Sequence, residues 1–62
     1  MYLPKDPEML LSVVNTALRD KYPSLYALCD DEDISIEELT SRLENAGYYY
    51  NDVRNAFVYK KG

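Results

Sequence analysis

The sequence predicts an all-α fold: a small bundle of three to four short helices with a helix-turn-helix-like core, forming a single small helical domain over residues 1–62. Three observations carry this expectation. Apolar residues recur at helical spacing in successive stretches. Each stretch opens on residues that cap helices. No β-hairpin turn signal stands out between them.

Helix one has the clearest pattern. Asp6 caps, Pro7 suits the first helical position, and Glu8 favours the positive end of the helix dipole. Leu10, Leu11, Val14, Ala17 and Leu18 form one apolar stripe, which Val13 widens. Pro23 disfavours helical geometry at Tyr22, so the helix stops at about Asp20 to Tyr22. Helix two starts at Ser24 and places Leu25, Leu28 and Cys29 on one face. The acidic run Asp30-Asp31-Glu32-Asp33 opposes the dipole at its C-terminus and ends it by Asp31 or Glu32. Helix three begins with a capping box, Ser35-Ile36-Glu37-Glu38, and an Ile34–Leu39 hydrophobic staple. It runs to about Ala46, where Gly47 supplies a left-handed stop. Tyr48, Tyr49 and Tyr50 read as extended. Asn51 or Asp52 then caps a last short helix with Val53, Ala56 and Phe57 facing inward, fraying through Val58 to Gly62.

Composition narrows the functional classes. A chain of 62 residues buries only about 60% of its unfolded surface, so the core is small. The single cysteine excludes an intramolecular disulfide, the first ten residues show no signal-peptide pattern, and no apolar run approaches a membrane span, so the expected setting is the cytoplasm without a membrane. Net charge is −4, and its distribution is uneven. Residues 24–46 carry one basic and seven acidic side chains, while residues 47–62 carry three basic and one acidic. The acidic middle repels phosphate backbones.

The block DPEMLLSVVNTALRD, with SLYALC and IEELTSRLENAGYYY after it, resembles a family of short bacterial proteins grouped as a domain of unknown function, the one numbered 4250. The resemblance covers about Asp6 to Phe57 and is most specific in its first block. It implies a small cytoplasmic bacterial helical domain and carries over no catalytic or binding residues.

The residues themselves argue against catalysis. There is no histidine, and Cys29 lies on an apolar helix face followed by acids that raise its pKa, so a core role is the better reading. The carboxylates crowd a solvent-facing turn rather than a cleft. An EF-hand register started at Asp31 puts Ile36 where glycine is needed and Arg42 where the bidentate Glu belongs. With only Gly47 and Gly62, no phosphate-cradling loop is available. No enzyme activity, cofactor or dedicated metal site is expected. Whether Asp30–Asp33 meets a stray cation or a basic protein surface stays open. Duplex DNA is disfavoured as a partner, because the recognition position of helix three would present Glu37 and Glu38 behind the acidic turn.

Two surfaces remain as candidates. Ser12, Asn15, Thr16 and Arg19 share one face of helix one. They read as a wet face with local hydrogen bonds, as a recognition surface, or as an Arg19 clamp onto Asp30–Asp33. The second surface is the tyrosine run with Arg54, Lys60 and Lys61; if Tyr48 and Tyr50 point inward, Tyr49 points out. The expected function is a non-catalytic protein-interaction module with a protein partner. Self-association is one version, in which the acidic turn of one copy meets the basic tail of another. The alternative is weak single-stranded nucleic-acid binding through the tyrosines and the basic tail. The residues expected to make contact are Asn15, Arg19, Tyr49, Tyr50 and Arg54.

Overall fold

Helix starts follow the capping chemistry. The computed structural model describes residues 1–60. It contains α1 (Pro7–Asp20), α2 (Leu25–Glu32), α3 (Ile36–Asn45), β1 (Tyr48–Asn51) and β2 (Ala56–Tyr59). The Asp6 carboxylate accepts from the Glu8 N–H at 3.1 Å, Ser24 Oγ from Ala27 at 3.1 Å, and Ser35 Oγ from Glu38 at 3.3 Å. Each bond satisfies a donor that the first helical turn leaves without an internal partner. Among the described residues the Glu38 side chain makes no return bond, so the Ser35 box closes from one side.

The helix ends differ in kind. At the end of α1 the N–H groups of Lys21 and Tyr22 both reach the Ala17 carbonyl, at 2.8 and 3.1 Å. At the end of α2, Asp33 turns left-handed with φ +56°, and the Ile34 N–H reaches back to the Cys29 carbonyl at 2.9 Å. At the end of α3, Gly47 takes φ +93°. A Cβ there would also meet the Tyr59 ring at 3.0 Å, a second reason for glycine.

The core collects Leu10, Val14 and Leu18 of α1, Leu28 of α2, Leu39 and Leu43 of α3, and Phe57 of β2. Each large apolar side chain buried this way contributes about 1.5–3 kcal/mol. Ile34, Tyr22, Tyr48 and Tyr50 pack around the rim.

The C-terminal segment corrects the all-α expectation. The last helix does not form; β1 and β2 pair antiparallel, Tyr48 opposite Tyr59 and Asn51 opposite Ala56, so the fold is α+β. The physical reason lies in the side chains and the turn. Tyr and Val favour a pleated, half-buried surface. Tyr48 packs edge-on against Tyr59 with centroids 5.7 Å apart, and Tyr50 tilts over Phe57 at 5.5 Å, cross-strand pairs on the core-facing side. Asn51 does behave as a cap: its Oδ1 accepts from the N–H groups of Val53 and Arg54 at 3.0 and 3.1 Å. The chain then reverses at Asn55, φ +54°, instead of continuing as a helix. Val53, expected inside, is 92% exposed.

The expected fraying and cationic role at Lys61 and Gly62 lie outside the described residues. No helix among the described residues is long and apolar enough to cross a membrane.

Candidate interaction site

The polar face of α1 and the hairpin loop form one groove. Ser12, Asn15, Thr16 and Arg19 line one wall, and Arg54, Asn55 and Ala56 the other, around a volume of about 520 Å³. Helical spacing aligns the first set, because residues three and four apart share a face. The hairpin brings up the second set from the far end of the chain.

Two asparagines hold the walls together. Asn15 Nδ2 donates to the Phe57 carbonyl at 3.0 Å, and Asn15 Oδ1 accepts from the Phe57 N–H at 2.8 Å. This side-chain amide meets the backbone of β2 as a neighbouring strand would. Asn55 Nδ2 donates to the carbonyls of Leu18, in the last turn of α1, and of Tyr22, just beyond it, at 3.0 and 2.9 Å. Asn55 Oδ1 accepts from the Tyr50 hydroxyl at 2.6 Å, and that hydroxyl accepts from the Leu25 N–H at 3.2 Å. One asparagine and one tyrosine therefore tie α1, α2 and the hairpin together.

The five expected contact residues fall into three places. Asn15, Arg19 and Arg54 come together in the groove. Of these, Asn15 is engaged in holding β2. Arg19 forms a two-bond pair with Asp20, Nε to Oδ1 at 2.9 Å and a terminal nitrogen to Oδ2 at 3.1 Å, and so is not a clamp on the acidic run. That hydrogen-bonded pair holds the exposed Asp20 carboxyl below its ordinary range. Arg54 is exposed and forms no ion pair among the described residues. Tyr49 lies on the opposite, outer face of the hairpin, with Lys60 Nζ 5.5 Å from its ring centroid. Tyr50 turns inward and is engaged with Asn55 and Leu25. Sequence reasoning missed Asn55. Its one signal was an asparagine shortly before an apolar pair, which also fits a turn residue in the left-handed region.

A family model described as "Domain of unknown function (DUF4250)" matches residues 4–57. The chain belongs to the DUF4250 family. The matched span takes in all three helices, β1, and both partners of the Asn15–Phe57 pair. Among curated proteins and among solved structures, none matches the chain.

The acidic corner of this DUF4250 domain is built differently. The Tyr22 hydroxyl lies 2.6 Å from Glu32 Oε2 and 2.7 Å from Asp31 Oδ2. A phenol has one hydrogen, so it donates to one carboxylate at a time. Hydrogen bonding to Glu32, then to Asp31, raises the pKa of the Tyr22 hydroxyl. The same contact is the main cause holding Glu32 below its ordinary range, with the N-terminal ammonium adding to it at 3.0 Å. Among the described residues, no group of three or more His, Cys, Asp or Glu is placed to hold a metal ion. Cys29 is buried beneath this corner, and burial, rather than the neighbouring acids, pushes its thiol pKa up. A raised pKa leaves little thiolate at neutral pH for nucleophilic chemistry.

Proposed function

We propose that the domain is a non-catalytic protein-interaction module whose groove between α1 and the hairpin loop receives an acidic segment of a protein partner. The supporting observation is the convergence there of Arg54, Arg19 and the hydroxyls of Ser12 and Thr16 on a backbone fixed by Asn15 and Asn55. Guanidinium groups pair with carboxylates through parallel N–H donors, and the hydroxyls add adjustable hydrogen bonds. Arg54 supplies the uncompensated charge, since Arg19 shares Asp20. An open groove of this size suits a few side chains of a peptide better than a sequestered reaction centre, which must exclude water.

The single-strand reading has narrower support. Base stacking needs exposed rings beside cations. Tyr49 with Lys60 meets that need, but Tyr48 and Tyr50 lie on the core side of the hairpin.

A titration of isotope-labelled protein with an octaglutamate peptide at low salt tests the proposal. Amide shifts are expected at Ser12, Thr16, Arg19 and residues 52–56, and they should vanish in Arg54→Glu and at about 0.5 M salt, where the screening length falls to a few ångström. Shifts that miss the groove, or that persist in Arg54→Glu, overturn it. A parallel titration with oligothymidylate that moves Tyr49, Val58 and Lys60 instead would favour the single-strand reading.

A further inference from the structure

The two edges of the hairpin are unequal. The Lys60 N–H donates to the Gly47 carbonyl at 2.9 Å. With the register of Tyr49 opposite Val58, this makes 47/60, 49/58 and 51/56 the hydrogen-bonded pairs, and 48/59 and 50/57 the non-bonded pairs between them. The backbone groups of Tyr48 and Tyr50 on β1, and of Phe57 and Tyr59 on β2, therefore point away from the hairpin. On β2 the Phe57 groups are taken by Asn15. On β1, no described residue bonds to the N–H or carbonyl of Tyr48 or Tyr50.

We propose that the β1 edge pairs antiparallel with β1 of a second copy, giving a two-fold dimer with one sheet in the order β2-β1-β1-β2. The register is self-complementary. Tyr48 of each copy meets Tyr50 of the other as a hydrogen-bonded pair, so four backbone bonds form. Tyr49 then faces Tyr49 of the second copy across the axis, as a close non-bonded pair on the outer face. Strand β1 carries no charged side chain, whereas edges protected against pairing usually carry lysine, proline or a bulge. This register sets Asn51 of one copy beside Gly47 of the other and Asp52 beside Ala46, so no like charges face one another along the seam. Growth is also limited, because Asn15 occupies the Phe57 groups of β2, so β1 is the strand that offers two free residues in alternate positions. The assembly stops at two rather than growing into a fibre.

Sedimentation equilibrium across a range of concentrations tests this, together with cysteine cross-linking. A mass rising to twice that of the monomer is expected, and Tyr49→Lys, which sets like charges face to face, should return it to the monomer. Under mild oxidation Tyr49→Cys should form a disulfide-linked dimer at least tenfold faster than Val53→Cys, a variant at a 92% exposed loop site away from the axis. A monomer mass at every concentration, a dimer indifferent to Tyr49→Lys, or equal cross-linking at the two sites overturns the proposal. Arg54→Glu, which disables the groove, should leave the dimer mass unchanged, so the two proposals fail separately.

Discussion

The hairpin end and the acidic corner of the molecule are both rich in polar residues, yet they are built on opposite terms. At the hairpin, Asn15, Asn55 and Tyr50 bond to backbone or to one another across gaps of 5 to 42 residues in the sequence, half-buried against the core. At the corner, Ser24, Ser35 and Asp33 finish helices with bonds to neighbours, and the carboxylates of Asp31 and Glu32 meet a single phenol at the surface. A polar atom held away from water must find its partner or cost the structure its full desolvation; one at the surface can turn to solvent. The eye is drawn to the four acids, but the polar bonds between α1 and the hairpin belong to two asparagines.

The largest effect that would test this contrast is at the asparagines. Asn55→Ala removes three bonds and places a Cβ-bearing residue without a polar side chain at φ +54°, and should cost about 2–4 kcal/mol in urea unfolding. Asn15→Ala, which frees both backbone groups of Phe57, should cost about 2 kcal/mol. Asn55→Gly should fall short of Asn55→Ala, because it relieves the backbone and loses the same bonds. Losses under half a kcal/mol at both sites would abolish the contrast.

At the corner the expected change is smaller and of opposite sign. Asp33→Gly relieves a left-handed residue and removes an acid from a helix C-terminus, and should stabilise by roughly 0.5–1 kcal/mol, read as a higher melting temperature.

The smallest effect is the pH dependence of the Tyr22 contact. Glu32 is held below its ordinary value of 4.5, so its contribution is present above that pH and fades as the pH falls through the folded value. Tyr22 is raised above its ordinary 10.0, so its contribution is full below that pH and is lost as the pH rises through the folded value. Tyr22→Phe should flatten both limbs of the stability profile while changing neutral-pH stability little; a large loss at neutral pH would show the corner to be as integral as the hairpin.

The same contrast explains what was legible in the sequence. The three helices were, because their signals are local: Asp6-Pro7, Ser24 after Pro23, Ser35 with Ile34 and Leu39, and Gly47 each act within one turn. The hairpin was not, because Asn51 accepts from the next N–H groups just as a helix cap does, and the decision to turn back belongs to Asn55, whose bonds lie 33 and 37 residues away. The polar face of α1 was visible from spacing alone. That Arg54 would join it depended on where the hairpin docks, whereas Arg19 turns to its sequence neighbour Asp20.

The Asn15–Phe57 pair also carries an expectation about the order of folding. A two-stranded hairpin of four-residue strands is marginal by itself, and the amide that completes its β2 edge comes into position only once α1 is wound. The loop to be closed spans most of the chain, an entropic cost that a nearly finished core helps to offset. The helices are therefore expected to assemble before the hairpin docks, with the Phe57 amide the last to gain protection in pulse-labelled hydrogen exchange during refolding.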